Sequence, residues 1–552
     1  MDKISQEQRS QLMSRVRSAD TWPEMVVRRH LHAAGLRYRL HRRDLPGRPD
    51  IVLPRLRQVI FVHGCYWHGH DACDRGTRRP KSNSEFWARK LDQNRARDAR
   101  VAAELRAMGW TVVIVWECQA KELSALDKAL EPVWQARKEA RDEDGNGGRG
   151  TDWTVADLCS GAGGMSAGFA RRQGFRIIGA IDLEQGKPSG GAGSLECNAT
   201  YEANIGIRPV DADLLEYEPE QFREHVRATQ GVDLKPGTLT VLSACTPCTD
   251  FSRTNPNNHL RDGLRNSLVA RAGDYVEALR PEIMVMENAR ELLMGRQAHH
   301  FERLAERLSR LGYDVKAEIH FLDEFGLPQI RERALVTASC VSPARGLSDL
   351  WEGYEVDARA TTVRSALSRL GEWRRIRPGD KMEVAPGMTP EVMRRLDAIP
   401  PDGGSWPDLG RSAATLELMI PSMRERWERR DLGSHPDVYG RMWWDRPAPT
   451  IKRECAHVGN GRYAHPVESR LLTVREMATI AGFPFDYSFP ARAMANRYRH
   501  IGDAVPPVIS YQIGAAVKWM LTGERPVLAD MVLPNTTLRV DDIRSVARIA
   551  AE

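Results

Sequence analysis

The sequence has no apolar run that approaches the roughly 20 residues of a membrane-spanning helix, which argues against an integral membrane protein. Its N-terminus, Met1-Asp-Lys-Ile-Ser-Gln6, lacks the apolar core of a signal peptide, so we expect a cytoplasmic protein. Nine cysteines, an odd number in a long chain, argue against a disulfide framework and favour free thiols or metal ligands. The net charge of +6 is compatible with a polyanionic partner but does not establish one.

The chain of 552 residues is too long for one hydrophobic core and predicts several domains. The stretch Asp142-Glu-Asp-Gly-Asn-Gly-Gly-Arg-Gly150 has the composition of a flexible linker. A charged, helix-forming segment, 121–141, precedes it. We therefore predict a domain boundary in this linker.

The first 120 residues mix helical and strand-like segments. Trp22-Pro-Glu24 marks a helix start, and the turn Leu45-Pro-Gly-Arg-Pro-Asp50 delivers an acid to the head of the strand 51–53. A second strand follows at 58–62. An acid at the head of one strand, beside another strand, is how metal-dependent nucleases hold a divalent ion. An acid that only caps a turn would give the same pattern.

The segment His63-Gly-Cys-Tyr-Trp-His-Gly-His-Asp-Ala-Cys73 contains three histidines and two cysteines, and Cys118 follows the strand 111–117. Thiolate and imidazole groups at this density suit a tetrahedral zinc site, and a chance cluster of this composition is improbable. The predicted zinc ligands are Cys65, His70, Cys73 and Cys118. His63 and His68 are then left for catalysis.

These segments resemble the very short patch repair endonucleases, which nick DNA beside thymine–guanine mismatches. The matching motifs are Leu45-Pro-Gly-Arg-Pro-Asp50, the tract from His63 to Cys73, Glu85-Phe-Trp87, Asn94-Arg-Ala-Arg-Asp98 and Trp116-Glu-Cys118. The resemblance implies a restriction-endonuclease-like nuclease domain with a structural zinc ion. One departure is Ala72, an extra residue before Cys73.

The resemblance also implies roles for single residues. Asp50 resembles the magnesium ligand, with the carbonyl of Val62 as a second ligand. His68 resembles the general base, while His63 and Glu24 assist at the scissile phosphate. The residues that match the aromatic wedge beside the mismatch are Tyr66, Trp67 and Trp87. A wedge enters the stack more easily where base pairing is already poor.

The segment Thr154-Val-Ala-Asp-Leu-Cys-Ser-Gly-Ala-Gly-Gly-Met165 predicts a strand, a glycine-rich turn and then a helix, 166–173. Such a turn lets the backbone approach a ligand, and the helix N-terminus favours a negative group. Tight strand–helix turns also need glycine for structural reasons alone. The next strand, 177–182, ends in Asp182, an acid suited to ribose hydroxyls, and Asp213 is placed to meet an adenine edge.

The segment 238–243 is short, apolar and β-branched, which predicts a buried strand of a parallel sheet. Pro247 fixes its own φ and biases Thr246 toward an extended conformation, so the thiol of Cys248 is aimed from a rigid loop. Cys248 is therefore the predicted nucleophile. The alternative is that Cys248 is a small buried hydrophobe, which is the common fate of a free cysteine.

The apolar strand 280–288 brings Glu287 to the same carboxyl edge as Cys248. A glutamate beside the thiol makes sense if the thiolate attacks C6 of a cytosine ring. An acid that protonates N3 makes the ring a better electrophile, and C5 then becomes nucleophilic enough to accept a methyl group. Arg331 and Arg333 follow, where their guanidinium groups can hold the base carbonyl and the nearby phosphate.

Residues 151 to about 525 carry these motifs in an order that resembles the C5-cytosine DNA methyltransferases. The motifs are Asp157-Leu-Cys-Ser-Gly-Ala-Gly-Gly164, Pro247-Cys-Thr-Asp-Phe-Ser252, Glu287-Asn288, Gln329-Ile-Arg-Glu-Arg333, Arg475-Glu476 with Gly482-Phe-Pro484, and Gly502-Asp-Ala-Val-Pro-Pro507. The resemblance implies a Rossmann-like fold, S-adenosylmethionine as donor, a flipped cytosine as acceptor, and a last motif that packs beside the first. The implied cofactor-binding residues are Asp157, Ser160, Gly161, Gly163, Gly164, Asp182, Asp213, Pro247 and Asp503.

Four departures from that family's pattern lie near the cofactor and base sites. Cys159 stands where the family has an aromatic residue, and 185–195 is a glycine- and serine-rich insertion. Ala289 replaces a valine and Asp503 an asparagine. None changes Cys248, so we expect catalysis to be retained.

The sequence thus predicts an α/β protein that joins a mismatch endonuclease to a cytosine-5 methyltransferase with a small target-recognition domain. The predicted segments are the endonuclease 1–140, the linker 141–151, the catalytic domain 152–340, the arginine- and tryptophan-rich target-recognition region 341–445, the return to the catalytic domain 446–525 and the C-terminal tail 526–552.

The expected partner is double-stranded DNA, and the expected cofactors are S-adenosylmethionine, magnesium and structural zinc. We expect a monomer associated with a prokaryotic nucleoid, with mismatch-repair proteins as candidate partners of the nuclease half. Two alternatives remain: a fused restriction–modification enzyme that cuts unmethylated matched DNA, and a nuclease half that only docks on DNA. The aromatic wedge argues against the first, and the retention of Asp50, His63 and His68 argues against the second.

Overall fold

The chain divides into two compact units, one formed by the first 150 residues and one by most of the residues that follow. The computed structural model describes residues 20–33, 36, 38–77, 84–121, 123–141, 153–184, 194–247, 267–295, 297–376, 379–432 and 436–546. Cys248, the linker 142–150 and most of the insertion 185–195 lie outside the described residues. Of the helices that are described, none combines the length and the apolar character needed to cross a membrane.

The N-terminal unit is built on a four-stranded mixed sheet. Its described strands are β1 (Arg39–Leu40), β2 (Ile51–Leu53), β3 (Gln58–His63) and β4 (Thr111–Trp116). Its described helices are α1 (Trp22–Ala33), α2 (Cys65–His68), α3 (Asp74–Thr77), α4 (Ser84–Ala107), α5 (Leu123–Ala129) and α6 (Glu131–Arg141). The strands lie in chain order, the first two pairs are antiparallel, and β3 and β4 are parallel.

Alternating side chains of this sheet pack into two separate hydrophobic cores, one on each face, because successive residues of a strand point to opposite faces. Ile51 and Ile60 pack in one core with Leu31 of α1. Val52 and Val59 pack in the other with Leu105 of α4. Full burial of such a side chain stabilises the fold by about 1.5–3 kcal/mol. Helices on both faces therefore hold the short strands in register, and the predicted α/β class is confirmed for this unit.

The C-terminal unit contains a seven-stranded sheet and a small two-stranded sheet. Its described strands are β5 (Trp153–Leu158), β6 (Phe175–Asp182), β7 (Val210–Asp211), β8 (Val241–Ala244), β9 (Ile283–Ala289), β10 (Asp314–Phe321), β11 (Glu332–Ser339), β12 (Tyr354–Val356) and β13 (Ile543–Ser545). Its described helices are α7 (Gly164–Ala170), α8 (Cys197–Ile205), α9 (Pro219–Gln230), α10 (Ser267–Leu279), α11 (His299–Arg310), α12 (Leu347–Leu350), α13 (Val363–Ile376), α14 (Pro390–Asp397), α15 (Ala413–Leu416), α16 (Pro421–Glu428), α17 (Val474–Ile480), α18 (Met494–Asp503), α19 (Pro507–Thr522) and α20 (Leu528–Met531).

The strand order of the larger sheet is β10-β11-β9-β8-β5-β6-β7. Strands β5 to β9 are parallel, and β11 is antiparallel to both of its neighbours, β9 and β10. The central strand β5 pairs with β6 on one side and β8 on the other. The chain therefore reverses its direction of travel across the sheet beside β5. Ligands of open α/β sheets bind outside the carboxyl ends of the strands at such a switch point. The predicted Rossmann-like arrangement is confirmed.

The region after β11 is mostly helical and shares one core with the segment that returns to the sheet. Trp406, Met442 and Ile501 are members of the same buried cluster. The last described residues are also packed: β13 pairs with β12, and Arg369 donates to both carboxylate oxygens of Asp542. The sequence alone did not indicate this closure, because a three-residue strand carries no periodicity of its own.

Candidate active sites

Four soft donors of the N-terminal unit converge near the end of β4. The ligand atoms of Cys65, His70, Cys73 and Cys118 all lie within 4.8 Å of one another. Helix α2 is followed by Gly69, whose φ of 66° turns the chain so that His70 lies beside the cysteines. Burial raises the pKa of Cys65 to about 12, which favours the protonated thiol in the absence of a cation. A zinc ion fits this set, because it takes four thiolate or imidazole ligands and keeps the thiolates ionised.

The Asp50 carboxylate lies at the head of β2, beside β3. Its Oδ2 accepts a hydrogen bond from the backbone amide of Val62 at 2.7 Å. Burial raises the pKa of Asp50, so a nearby cation would favour its ionised form. A hard divalent ion such as Mg²⁺ prefers carboxylate and carbonyl oxygens. Asp50 therefore fits the magnesium ligand that the sequence predicts.

Glu24 lies in α1 with only 2% of its surface exposed. Its carboxylate pairs with Arg28 and accepts a hydrogen bond from the amide of Thr21 at 3.4 Å. The ring of His41 lies between the two acids, with Nε2 at 3.2 Å from Glu24 Oε1 and Nδ1 at 3.9 Å from Asp50 Oδ1. Glu24 is thus joined to Asp50 through His41, a residue to which the sequence gave no role.

His63 and His68 meet where β3 ends and α2 ends. Their rings stack with centroids 3.9 Å apart and planes 11° apart. The Nδ1 of His68 lies 2.5 Å from Oδ2 of Asp98. A carboxylate only accepts, so Nδ1 carries the proton and Nε2 is the nitrogen that can take another. Burial and the neighbouring His68 lower the pKa of His63 to about 4, so His63 is neutral near pH 7.

The sequence interpretation missed Asp98 as the partner of His68. The only signal was its place in the matching motif 94–98, because the two residues are far apart in sequence. Only the packing of α4 against α2 brings the carboxylate to the imidazole.

The three predicted wedge residues form one aromatic cluster. The ring centroids of Tyr66 and Trp67 are 5.2 Å apart, and that of Trp87 lies 5.9 Å from Tyr66 and 6.1 Å from Trp67. Phe86 has 56% of its surface exposed, and its ring centroid lies 5.6 Å from that of Trp87. The cluster joins α2 to the first turn of α4, directly before His68 in the chain.

In the C-terminal unit, the glycine-rich turn lies at the carboxyl end of β5. Gly163 has a φ of 88°, and a Cβ there would lie 2.9 Å from the hydroxyl of Tyr487. A Cβ on Gly164 would lie 2.2 Å from the carbonyl oxygen of Val505. Glycine is therefore required at both positions, and the segment before α19 packs against the turn. This is the return of the last motif to the first that the resemblance implies.

The predicted cofactor residues occupy different positions around this turn. Asp157 is fully buried below it and accepts a hydrogen bond from the hydroxyl of Ser166 at 2.6 Å. Burial raises the pKa of Asp157 to about 6. Asp182 accepts from the Gly161 amide at 2.7 Å and from the Cys197 thiol at 3.2 Å. These contacts fix the turn and hold the Asp182 carboxylate at the strand end.

Ser160 supplies an observation that favours a bound ligand. Its hydroxyl is buried and has no hydrogen-bond partner among the described residues, although a buried hydroxyl normally finds one. A polar cofactor group would satisfy it. The donor set therefore fits S-adenosylmethionine, whose carboxylate and ribose hydroxyls need such partners.

Two further predicted cofactor residues have partners of their own. Asp213 is exposed and accepts a hydrogen bond from the amide of Leu215 at 3.0 Å. Oδ2 of Asp503 forms a salt bridge with Nε of Arg453 at 2.6 Å. The carboxylate that stands in place of the family's asparagine is thus neutralised by a neighbouring arginine.

The ends of β8 and β9 form the second part of this site. The strands are parallel neighbours, with Ser243 opposite Val285, so their carboxyl ends share one edge. The side-chain amide of Asn288 donates to the backbone carbonyl of Thr246 at 3.1 Å. This bond fixes the start of the loop that contains Pro247, while Cys248 lies outside the described residues.

Glu287 and Arg333 are brought together at this edge. Nε of Arg333 lies 2.9 Å from Oε1 of Glu287, across the pair of strands β9 and β11. Arg331 is 4% exposed and donates to the backbone carbonyls of Ile451 at 3.3 Å and Ala504 at 3.2 Å. These two hydrogen bonds join two loops, and the contact of Arg331 with the base or its phosphate stays a prediction.

Comparison with known proteins assigns both units. The model of the C-5 cytosine-specific DNA methylase family matches residues 153–519, and that of the DNA mismatch endonuclease Vsr matches residues 1–75.

Three curated relatives agree with this division. The Type II nicking enzyme V.XorIIP of Xanthomonas oryzae is 52% identical over 132 residues, which are 24% of this chain and 96% of that protein. The DNA mismatch endonuclease Vsr of Escherichia coli is 40% identical over 123 residues, 22% of this chain and 78% of that protein. The Type II methylase M.HgiDII of Herpetosiphon aurantiacus is 28% identical over 378 residues, 67% of this chain and 96% of that protein. The chain therefore belongs to the C-5 cytosine-specific DNA methylase family, and its N-terminal unit belongs to the Vsr family of DNA mismatch endonucleases.

Proposed function

We propose that the protein methylates C5 of cytosine in one duplex sequence and nicks DNA 5′ to the thymine of the T:G mismatch that forms when this 5-methylcytosine deaminates. The observation that carries the mismatch specificity is the position of the aromatic cluster. Trp67 and His68 are consecutive residues of α2. A wedge that enters the stack of nucleobases would therefore lie directly beside His68, the general base that activates water. Cleavage of matched DNA would have no use for this arrangement.

The nuclease reaction needs a base, an oriented phosphate and charge neutralisation. Asp98 keeps the proton of His68 on Nδ1, so Nε2 accepts a proton from the attacking water. Neutral His63, stacked on His68, donates a hydrogen bond at the phosphate. Mg²⁺, when bound at Asp50 and the Val62 carbonyl, supplies positive charge beside the scissile bond.

The zinc ion has a structural role in this proposal. Its ligands are Cys65, His70, Cys73 and Cys118, which tie α2 to the end of β4. The ion would thereby fix the short helix that presents both the wedge and the base. A restriction-endonuclease-like fold for residues 1–140 is part of the same proposal.

In the methylation reaction, Cys248 attacks C6 of the flipped cytosine and Glu287 protonates or holds N3. Arg333, which contacts Glu287, keeps its carboxylate in place and offers further N–H donors to the base carbonyl. Asn288 holds the loop that carries Cys248. S-adenosylmethionine, when bound, would supply the methyl group to C5; loss of the C5 proton and elimination of the Cys248 thiolate from C6 then restore the aromatic ring.

The cofactor site is proposed at the carboxyl end of β5, at the switch point of the sheet. Ser160 and the turn glycines Gly161, Gly163 and Gly164 are proposed to hold its amino-acid part. Asp182 is proposed to bind the ribose and Asp213 the adenine. Asp157 acts below the turn by anchoring Ser166. Pro247 and Asp503 complete the predicted lining.

The domain assignment is also a proposal: the nuclease 1–140, the linker 141–151, the catalytic domain 152–340 with its return 446–525, and the target-recognition region 341–445. Duplex DNA is the partner of both halves. Aromatic and arginine side chains of the recognition region, such as the pair Trp444 and Arg364 with 5.2 Å between guanidinium carbon and ring centroid, suit contacts to base edges and phosphates.

The experiment that tests this function incubates the purified protein and Mg²⁺ with four short DNA duplexes of the same sequence. One is matched and unmethylated, one is matched and methylated, one contains a T:G mismatch, and one contains an A:T pair at the position of the mismatch. We expect nicking of the T:G duplex alone, 5′ to the thymine. The matched control is Asp50→Asn, which should bind the T:G duplex and not nick it. Efficient cutting of both strands of matched, unmethylated DNA would replace this function with a restriction activity.

A further inference from the structure

Helix α4 contacts three consecutive residues of the turn that contains His68, the predicted general base. The amide of Asn94 donates to the carbonyl of Trp67 at 2.9 Å. Asp98 accepts from His68 at 2.5 Å, and NH2 of Arg95 donates to the carbonyl of Gly69 at 2.5 Å. Side chains within about one and a half turns of one helix thus hold positions 67, 68 and 69.

The contact between Arg95 and Gly69 is shaped by backbone conformation. Gly69 is buried and has a φ of 66°, in the left-handed region that glycine adopts without strain. A Cβ at this position would lie 2.8 Å from NH2 of Arg95. The guanidinium group therefore occupies the space that the missing side chain leaves.

Gly69 separates two residues with different proposed duties. His68 is the proposed base, and His70 is a proposed zinc ligand. A zinc ion on His70 would fix one end of this turn, and Asp98 fixes the imidazole. In the peptide between them, the His70 amide donates to the Cys65 carbonyl at 3.0 Å, which leaves the Gly69 carbonyl for a side chain to hold. Arg95 provides that third contact, with a cationic donor, which makes a stronger hydrogen bond than a neutral one.

We propose that Arg95 is a positioning residue of the nuclease, which holds the Gly69 carbonyl so that the His68 imidazole stays aimed at the scissile phosphate when the wedge enters the DNA. This inference rests on the proposed mismatch nuclease function. Helix α4 contains Trp87 of the wedge in its first turn and contacts the turn of His68 about two to three turns later, so it links the two parts. Through Arg95, strain from wedge insertion is resisted at the turn that carries His68.

The test uses the full chain and a T:G duplex at saturating protein, with the nicking rate measured in a single turnover. We expect Arg95→Ala to lower this rate by about 10- to 100-fold, because small displacements of a catalytic group have effects of this size. The dissociation constant for the T:G duplex and the zinc content should stay unchanged. Arg95→Lys should restore part of the rate. The matched control is Arg100→Ala, on the same helix, whose side chain is 72% exposed and should leave the rate unchanged.

A second variant tests the same contact from the other side. Gly69→Ala introduces a methyl group that displaces the guanidinium, so we expect it to slow nicking as well. Alanine at a φ of 66° also strains the backbone, so the diagnostic is the Arg95→Ala change, which should slow nicking less in the Gly69→Ala background than in the wild type. Additive losses would overturn the inference.

The remaining outcomes also decide the question. An Arg95→Ala protein that nicks at the wild-type rate overturns the inference alone. A loss of DNA affinity that accounts for the whole defect would make Arg95 a phosphate contact, and a loss of zinc would make it a fold-stabilising residue. Either result contradicts a positioning role. A wild-type protein that nicks no T:G duplex would overturn the proposed function itself, and the inference with it.

Discussion

The two active sites of this chain are built in different ways. In the nuclease unit, the residues from Asp50 to His70 lie within a short stretch of chain, and direct side-chain contacts such as that between His68 and Asp98 hold them. In the methylase unit, Ser160, Glu287 and Val505 come from distant parts of the chain, and the edge of a parallel sheet gathers them. The nuclease site is held by a few direct side-chain contacts, whereas the methylase site is assembled by the packing of the whole sheet.

The largest expected effects separate the two chemistries. Cys248→Ser should abolish methyl transfer, because a neutral hydroxyl is a far poorer nucleophile than a thiolate. The same protein should nick T:G duplexes at the wild-type rate. Tritium transfer from labelled S-adenosylmethionine and a nicking assay measure the two activities. Substantial methyl transfer by the variant would refute the role of Cys248.

Removal of a zinc ligand should break the nuclease unit as a whole. We expect elemental analysis to find one zinc ion in the wild-type chain and none in Cys118→Ser, whose nuclease unit should unfold, because structural zinc supplies folding free energy directly. The methylase unit has its own buried core and should keep its activity. Cys455→Ser is a suitable control for zinc content and nuclease folding, since Cys455 belongs to the buried core of the methylase unit. A folded, active, metal-free nuclease would contradict the zinc assignment.

A smaller effect is expected from Asp98→Asn. The amide cannot stabilise a protonated His68 as a carboxylate does, so nicking should slow by roughly 100-fold, the size of a general-base contribution. Binding of the T:G duplex, measured by fluorescence anisotropy, should not change. Equal loss of binding and of nicking would mean that Asp98 supports the fold rather than the base.

The smallest effect concerns the sheet-built site and its pH dependence. Burial raises the pKa of Asp157 to about 6, above the ordinary value of 3.8. The folded protein therefore binds this proton more tightly than the unfolded chain, so the stabilisation is full below about pH 4 and is lost as the pH rises through 6.

Asp157→Asn should remove this dependence and raise the free energy of unfolding of the methylase unit near pH 7 by about 2–3 kcal/mol. Urea denaturation of both proteins between pH 5 and pH 8 measures the difference. Parallel curves for the two proteins would show that Asp157 does not titrate in this window.

The same contrast explains what could be predicted from the sequence. The zinc set was predicted from the dense tract between His63 and Cys73 with Cys118 after a later strand, and the wedge from the resemblance to a known family; the structure brings each set together. The methylase motifs were found because of their order. Contacts that depend on packing between distant elements were missed: Asp98 on His68, His41 between two acids, and the backbone contacts of Arg331. Neither spacing nor residue type indicates such partners.

The central claim is that the two halves serve one DNA sequence, because an enzyme that writes 5-methylcytosine creates a T:G hazard at its own target. The most direct measurement maps the methylated sequence by bisulfite conversion and then compares nicking of T:G duplexes in that context and in shuffled contexts. The linker keeps the two domains at a high effective concentration, so a shared site is expected. We predict faster nicking in the methylation context, lost with Asp50→Asn, whereas equal nicking in all contexts would contradict the claim.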